Sequence, residues 1–199
     1  MLKNKVPIRS HSGNFRITSK SNKKYLSEDF THRCAYCDDL DVISGGYKTY
    51  HVEHFAPKEK FPDLEFTYEN LLYACPYCNC CKGDDWPSGD ALISVVGESG
   101  YIDPCSADYQ LHLDRNTNGS IVYKSTLGKY MFDHLNLGLI RHYLIYNVDK
   151  LQNKRNELAK KISEDKTTGK DTSKKEKLLN TIDEKFFKYY FQLLDEFST

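Results

Sequence analysis

The chain has 199 residues, of which 39% are hydrophobic and 28% are charged. This composition is typical of a soluble globular protein and argues against wholesale disorder, and no apolar run approaches the length of a membrane span. The 28 basic and 28 acidic residues give zero net charge, whereas proteins that bind nucleic acid unaided are often strongly basic. Basic residues are instead concentrated in residues 1–25 and 150–177, which permits a local contact with nucleic acid or with a partner protein.

The first predicted element is a polar, basic N-terminal arm or loosely docked segment over residues 1–25. It contains no acidic residue, and its basic residues are Lys3, Lys5, Arg9, Arg16, Lys20, Lys23 and Lys24. No apolar stretch follows these basic residues, as a secretory signal would require. A cytoplasmic location without membrane association is therefore expected.

Two short strands and two short helices are predicted in the region that follows. Ser27 is predicted to cap a short helix that ends near His32. Residues Tyr47–Phe55 are rich in β-branched and aromatic side chains and are predicted to form a strand. A second strand is predicted over Asn70–Ala74 and a short helix over Pro76–Lys82. The predicted fold class is accordingly α+β.

A loop and a β-hairpin are predicted next along the chain. Residues Gly83–Gly100 have the composition of a loop. The segments Leu111–Leu113 and Ile121–Tyr123 flank an Asn118-Gly119 turn, which is a strong local signal for a hairpin.

The segment after Ser125 is predicted to be mainly helical, because its apolar residues recur at helical spacing. A polar break spans residues 166–172. Beyond it, Ser173 and Glu176 have the spacing of a capping box, which predicts that a second helix begins there. The end of the chain is therefore expected to be a helical hairpin whose apolar stripe serves core packing.

Four of the seven cysteines form two Cys-x-x-Cys pairs, Cys34 with Cys37 and Cys75 with Cys78. In a chain without a secretory signal this pattern predicts a zinc site, since each pair can direct two sulfurs at one ion. Reduced buried cysteines and a redox-active pair are the alternatives. A four-cysteine site has no open coordination position, so its role is structural. The other three cysteines are predicted to be ordinary buried residues, with competition of the adjacent pair for metal as the alternative: Cys80, Cys81 and Cys105.

The residues between and beside the cysteine pairs include the groups that phosphodiester hydrolysis requires. The reaction needs a base to activate water, a cation at the scissile phosphate, and stabilisation of the leaving oxygen. His54 suits the role of base because histidine titrates near neutrality. The side-chain oxygens of Glu53 and Asn79 suit Mg²⁺ or Mn²⁺, and nearby lysines can contact phosphates.

Glu53 and His54 are adjacent, and adjacent side chains on a regular strand point to opposite faces. They can converge on one phosphate only if the strand ends or twists there, and Pro57 favours an ending. His51 shares the face of Glu53 and is a candidate for contact with metal or DNA, with a structural role as the alternative. Lys58 is a further candidate for contact with phosphate or metal.

This combination resembles the HNH endonuclease family, which has the ββα-metal fold and is often framed by two Cys-x-x-Cys pairs. Matched by position, the resemblance implies that Glu53 is the first metal ligand and His54 the general base. Asn70 matches the central asparagine, which tethers the hairpin and orients the base. Asn79 matches the second metal ligand, and Lys82 stands where many members carry a lysine, so it is grouped with His54 and Asn70 as a predicted catalytic residue.

The motif covers Cys34–Lys82 and departs from the commonest pattern at two positions. Asn79 replaces the final histidine, and Glu53 replaces the commoner aspartate, so the choice between Mg²⁺ and Mn²⁺ stays open. Three later segments resemble the tails of bacterial HNH proteins from anti-phage systems of the Septu and retron-associated type: Ile102-Asp103-Pro104, Gly119-Ser120-Ile121 and Leu135-Asn136-Leu137. Such nucleases are typically paired with an ATPase.

The resemblance implies a division of the chain and a function. Residues 1–25 are the basic arm, residues 26–90 the ββα-metal core with its four-cysteine zinc knuckle, and residues 91–199 the hairpin and helical extension. The implied function is that of a metal-dependent endonuclease acting on DNA, with RNA as an open alternative, as the nuclease component of a bacterial defence system with a partner protein. The competing interpretation is a non-catalytic zinc module that binds nucleic acid or protein.

Overall fold

The computed structural model describes residues 2–3, 5–12 and 19–198. Arg16 of the predicted N-terminal arm lies outside these residues. The chain divides into two compact units, residues 1–142 and residues 143–199, while the domain limits inferred from the sequence remain a prediction. No described helix is long and apolar enough to cross a membrane.

The described part of the N-terminal segment belongs to the first unit and makes contacts within it. The side chain of Lys3 is buried, and its ammonium group donates to the carbonyl oxygen of Pro104 at 3.2 Å. The guanidinium of Arg9 forms an ion pair with the Asp103 carboxylate at 2.8 Å and donates to the carbonyl oxygen of Leu71 at 2.9 Å. These two basic side chains therefore bind the protein itself and are not presented to a nucleic acid.

Helix α1 spans Ser19–Asp29, so the prediction that Ser27 caps a helix is wrong. Ser27 lies near the end of α1, where its hydroxyl donates to the carbonyl oxygen of Lys24 at 2.7 Å. A serine inside a helix is tolerated when its hydroxyl bonds back to the preceding turn in this way. Thr31 and His32 follow the helix with φ angles of 51° and 58°, which end the helical path.

A two-stranded antiparallel sheet followed by a helix forms the centre of the first unit. Strand β1 (His51–His54) pairs with strand β2 (Leu71–Ala74) along the full length of both. Helix α2 spans Pro76–Lys82, as predicted. Its first residue is a proline, whose missing amide costs no helical hydrogen bond at that position. The predicted α+β fold with a strand–strand–helix core is confirmed.

Strand β1 is shorter than the predicted strand Tyr47–Phe55. The hydroxyl of Thr49 donates to the carbonyl oxygens of Ser44 and Gly46 at 2.7 and 2.8 Å, which closes a turn just before the strand. Strand β2 also begins one residue later than predicted, because Asn70 ends a short 3-10 turn. Side-chain composition predicted both strands, and local turn bonds set where they start.

Four short strands and two short helices follow in the first unit. In chain order they are β3 (Val95–Val96), β4 (Ser99–Gly100), α3 (Tyr109–His112), β5 (Leu113–Arg115), β6 (Ile121–Tyr123) and α4 (Thr126–His134). The predicted hairpin forms, but its first strand is shifted: Leu111 and His112 belong to α3, and β5 begins at Leu113. The pairing of β3 with β4 lies inside the segment predicted to be a loop. Each of these two strands has only two residues, which is too short to produce a periodic pattern.

Buried tyrosines fill much of the core of the first unit. Six of them are fully buried, namely Tyr36, Tyr50, Tyr68, Tyr73, Tyr101 and Tyr109. In the same order, their hydroxyls donate to Glu53, the Asp39 carbonyl, Asp29, Asp41, Asp85 and the Tyr36 carbonyl. A two-stranded sheet has too small a face to form a core alone. The aromatic rings supply the missing apolar area, and their satisfied hydroxyls avoid the cost of an unpaired buried polar group.

The second unit is a helical hairpin, as predicted. Helix α5 (Ile140–Thr167) begins at the end of the first unit and continues through the second, and helix α6 spans Ser173–Ser198. The guanidinium of Arg155 forms an ion pair with the Asp183 carboxylate at 2.7 Å, which joins the two helices.

The start of α6 is predicted at the right place but with the wrong capping residue. The hydroxyl of Ser173 donates to the Asp171 carboxylate at 2.6 Å. The Glu176 carboxylate instead accepts from the hydroxyl of Thr172 at 3.1 Å. The contact between Thr172 and Glu176 joins two side chains, whereas the bonds of a capping box run from side chain to backbone.

Candidate functional site

The four cysteines of the two Cys-x-x-Cys pairs meet in the core of the first unit. All are buried free thiols whose sulfur atoms lie within 4.8 Å of one another, namely Cys34, Cys37, Cys75 and Cys78. Four clustered sulfurs match the donor set of a tetrahedral zinc site. The predicted meeting of the two pairs is therefore confirmed, and we call this group the cysteine cluster.

The backbone around the cysteine cluster directs amide groups at the sulfurs. The Cys75 amide donates to Cys34 Sγ at 3.3 Å, and the Cys78 amide donates to Cys75 Sγ at 3.4 Å. The Ala35 amide donates to the carbonyl oxygen of Tyr73 at 2.7 Å, which ties the first cysteine pair to β2. Amide donors in general favour the thiolate form that binds metal, so this arrangement suits a bound metal ion.

The remaining cysteines lie outside the cysteine cluster. Cys80 and Cys81 are exposed and Cys105 is half-buried, so the prediction that they are ordinary buried residues is wrong. Helix α2 packs one side against the core, and residues four apart on a helix share a side. Cys78 and Lys82 occupy that buried side, which leaves Cys80 and Cys81 facing solvent.

A buried histidine adjoins the cysteine cluster. His142 Nδ1 lies 2.7 Å from Asp39 Oδ2, and both side chains are buried. Their nitrogen and oxygen atoms lie within 4.8 Å of Cys37 Sγ. This contact joins the first turn of α5 to the turn that carries the first cysteine pair. It lies within the first unit.

A cleft of 390 Å³ opens where β1 ends, beside helix α2. Its charged and amide side chains are those of Glu53, His54, Lys58, Glu59, Asn79 and Asp84. β1 ends at His54, so Glu53 and His54 can both border the cleft, although a continuing strand would turn them to opposite faces. Three carboxylates give the cleft a negative character that suits a divalent cation.

Glu53 is buried at the wall of the cleft and has two donors on one oxygen. Its Oε1 accepts from the Tyr36 hydroxyl at 3.2 Å and lies 3.1 Å from Lys82 Nζ. Burial raises the pKa of Glu53 to about 7, although the Lys82 ammonium, the Tyr36 hydroxyl and the His54 amide all favour the charged carboxylate. A divalent cation bound here would favour the charged form further.

His54 is held through one nitrogen of its ring. Nε2 lies 3.0 Å from the carbonyl oxygen of Glu65. A carbonyl only accepts, so Nε2 carries the proton in the neutral ring and Nδ1 keeps its lone pair. Burial lowers the pKa of His54, and the charge of Lys58 acts in the same direction, against the bond to Glu65. The ring is therefore neutral near physiological pH and can accept a proton at Nδ1.

Asn70 clamps the chain just after His54. Its Oδ1 accepts from the Ala56 amide at 2.8 Å, and its Nδ2 donates to the Ala56 carbonyl at 2.9 Å. The backbone carbonyl of Asn70 also accepts from the Phe55 amide at 2.8 Å. An amide side chain has a donor and an acceptor side by side on separate atoms, which suits such a two-point contact. This is the kind of tether that the family resemblance implied for Asn70.

Replacing Asn70 by alanine is expected to destabilise the first unit. The substitution leaves the buried amide and carbonyl of Ala56 without these partners, and each unpaired group costs about 1–3 kcal/mol. Chemical denaturation of the purified chain measures the change in the free energy of unfolding. Asn70→Asp should also destabilise the unit, because its carboxylate oxygen would face the Ala56 carbonyl where Nδ2 now donates. Equal stability of all three proteins would contradict the clamp.

The other predicted site residues differ in how they relate to the cleft. Asn79 is half-buried and lines it, and Lys58 lines it while forming an ion pair with a neighbouring glutamate at 3.1 Å. His51 is exposed at the opposite end of β1 and is not among the lining residues. The side chain of Lys82 is 0% exposed and faces Glu53, so it is not open to a phosphate.

Tyr36 contacts the site but was missed at the level of sequence. Its hydroxyl donates to Glu53, which is 17 positions away in the chain. No local sequence pattern predicts a contact over that separation. The available signal was its position between Cys34 and Cys37, because a residue inside a metal-binding turn has a fixed backbone and a defined direction.

Comparison with known proteins agrees with this geometry. A family model described as HNH endonuclease matches residues 34–85. The Septu protein PtuB of Bacillus thuringiensis is 42% identical over 73 residues, a match that covers 36% of this chain and 27% of that protein. No solved structure matches the chain. Residues 34–85, which contain the cysteine cluster and the lining residues of the cleft, therefore form a domain of the HNH endonuclease family.

Proposed function

We propose that the chain is a metal-dependent endonuclease that hydrolyses phosphodiester bonds of DNA. The observation that supports this most strongly is the meeting of Glu53, His54 and Asn79 around one cleft within the HNH domain. They supply a neutral base and hard oxygen ligands at one place. A non-catalytic zinc module would account for the cysteine cluster but gives no reason for these three side chains to converge.

In this proposal His54 is the general base. Its Nδ1 accepts a proton from the water molecule that attacks phosphorus, while the Glu65 carbonyl holds Nε2 and fixes the ring. Asn70 holds the residues after His54 in place. The family resemblance implies products with a 5′-phosphate and a 3′-hydroxyl.

Glu53 and Asn79 supply the oxygen atoms that would hold Mg²⁺ or Mn²⁺. Such a cation, when bound, polarises the scissile phosphate and stabilises the departing 3′ oxygen. Lys58, half-exposed at the cleft, is the candidate for contact with a phosphate. Lys82 acts within the protein on Glu53, because its ammonium group is buried. His51 retains only the role of a surface contact for DNA outside the cleft.

The cysteine cluster is proposed to bind a structural Zn²⁺ ion. It joins the Cys34–Cys37 turn to the junction of β2 and α2. The cleft lies beside these elements, because α2 and β1, the strand paired with β2, both contribute lining residues. A closed site of four sulfurs leaves no position for substrate. The zinc would therefore act on folding and on positioning, and the chemistry would take place in the cleft.

Similarity to a Septu protein supports a role in bacterial anti-phage defence. We propose that the chain acts there with a partner protein, for which the resemblance points to an ATPase, and that it works in the cytoplasm. A partner would supply the affinity for DNA that a chain of zero net charge lacks.

Substitutions at Asn79 test the metal-ligand role. Asn79→Ala should lower the rate of nicking of a supercoiled plasmid in Mg²⁺ by more than about 10-fold, since even partners outside the first coordination shell contribute that much to metal sites. Asn79→His should retain activity, because it restores a side chain that can ligate a metal.

Cys80→Ala is the matched control for the Asn79 variants, because Cys80 is the next residue on α2 and is exposed. It should nick at the wild-type rate. If Asn79→Ala nicked as fast as this control, with Mg²⁺ present and the partner gene product added, the assignment of Asn79 as a metal ligand would be wrong.

A further inference from the structure

Tyr36 is the side chain that links the cysteine cluster to the cleft. It is fully buried and stands between Cys34 and Cys37 in the first Cys-x-x-Cys turn. Its hydroxyl donates to Glu53 Oε1 at 3.2 Å, and its carbonyl oxygen accepts from the Tyr109 hydroxyl at 2.9 Å. The backbone and the hydroxyl of Tyr36 are both held, so the ring forms a rigid strut that ends on Glu53.

A second donor reaches the same oxygen from helix α2. Lys82 Nζ lies 3.1 Å from Glu53 Oε1 and also donates to the carbonyl oxygen of His54 at 3.2 Å. Lys82 is one helical turn beyond Cys78, so this donor too is anchored on a residue of the cysteine cluster. A glutamate side chain otherwise has several accessible rotamers. The two fixed donors on Oε1 hold the Glu53 side chain in a single rotamer.

We propose that Tyr36 and Lys82 are positioning residues that hold Glu53 by Oε1 and leave Oε2 as its oxygen for a divalent cation in the cleft. This inference rests on the proposed function, since it assumes that Glu53 is a metal ligand. A metal ligand that is already held in its binding geometry loses no further side-chain freedom when the cation binds, so the entropic cost of binding is smaller. Tyr36 lies within the first cysteine pair and Lys82 lies one helical turn after the second. The cysteine cluster therefore fixes the position of Glu53 through these two donors.

Tyr36 can be tested without disturbing the fold, because phenylalanine keeps the buried ring and removes only the hydroxyl. The core offers a matched control in Tyr73, which is also fully buried and whose hydroxyl also donates to a carboxylate, that of Asp41 at 2.6 Å. Asp41 does not line the cleft. Tyr73→Phe therefore repeats the chemical change at a place where no cation is proposed.

The experiment measures Mn²⁺ binding to the full-length, zinc-loaded chain by the electron paramagnetic resonance signal of free Mn²⁺. Tyr36→Phe is expected to weaken Mn²⁺ binding about 10-fold, which is typical for loss of a group that orients a metal ligand. Tyr73→Phe should bind Mn²⁺ as the wild type does. Zinc content and the thermal midpoint are measured on each protein, so that a change in the fold is separated from a change in the cleft.

Failure of the inference and failure of the proposed function give different results. If the wild type bound Mn²⁺ no better than Glu53→Ala, Glu53 would not be a metal ligand and the proposed function would fail. If the wild type bound Mn²⁺ through Glu53 but Tyr36→Phe bound it equally well, the positioning role of Tyr36 would be overturned. Equal weakening in Tyr36→Phe and Tyr73→Phe would also overturn it, because the effect would then come from core packing.

Discussion

Replacing His54 by alanine is expected to lower the rate of plasmid nicking by about 10²–10⁴-fold, the usual contribution of a general base. The bond from Nε2 to the Glu65 carbonyl leaves Nδ1 as the acceptor, and burial lowers the pKa of His54 so that the ring is neutral near pH 7. Alanine removes the proton acceptor without adding bulk to the cleft. Mn²⁺ binding should change little, because Glu53 and Asn79 remain in place.

His134→Ala is the control for His54→Ala, since His134 is an exposed histidine at the end of α4. It should nick at the wild-type rate. Added imidazole should restore part of the activity of His54→Ala by entering the space that the ring has left. A His54→Ala protein that nicked as fast as His134→Ala would show that another group activates the water.

Replacing Cys75 by serine is expected to remove zinc and unfold much of the first unit. Cys75 takes part in the cysteine cluster through its sulfur and also accepts the Cys78 amide at the start of α2. Structural zinc sites contribute roughly 10 kcal/mol or more of binding free energy to folding, whereas whole domains are stable by about 5–15 kcal/mol. Loss of the ion should therefore leave little net stability.

Zinc content per chain and the thermal unfolding of the purified protein test this expectation. Cys80→Ser is the matched control, because it makes the same chemical change at an exposed position of the same helix. It should retain about one zinc per chain, the stoichiometry of a four-cysteine site, and the wild-type thermal midpoint. Retention of both by Cys75→Ser would mean that the cysteines pack as ordinary buried thiols and do not hold an ion.

The parts of the fold that the sequence predicted are those with short-range signals. Helix α2 begins at a proline after a cysteine and was predicted with its observed limits. The meeting of the two Cys-x-x-Cys pairs followed from the chemistry of zinc, which requires four donors at one point. Glu53, His54 and Asn79 followed from their side-chain chemistry and from the resemblance to the HNH motif, and all three line one cleft.

The parts that the sequence did not predict depend on contacts between distant residues. Lys3 and Arg9 looked like solvent-facing charges, but they bind groups 101 and 94 positions away. Lys82 looked like a phosphate contact, and only the packing of α2 against β1 shows that it is buried beside Glu53. In the sequence, a tyrosine that orients a carboxylate looks the same as a tyrosine that only packs in the core. Tyr36 could therefore not be distinguished from the other buried tyrosines.

The most direct test of the proposed nuclease is the conversion of supercoiled plasmid to nicked circles by the purified, zinc-loaded chain. It is run in Mg²⁺ or Mn²⁺ and again in an excess of EDTA, each with and without the product of the neighbouring gene. We expect nicking that requires the divalent cation, is lost in Glu53→Ala, and leaves 5′-phosphate ends. Absence of cation-dependent nicking under all of these conditions would contradict the proposal and favour a zinc module that binds without cutting.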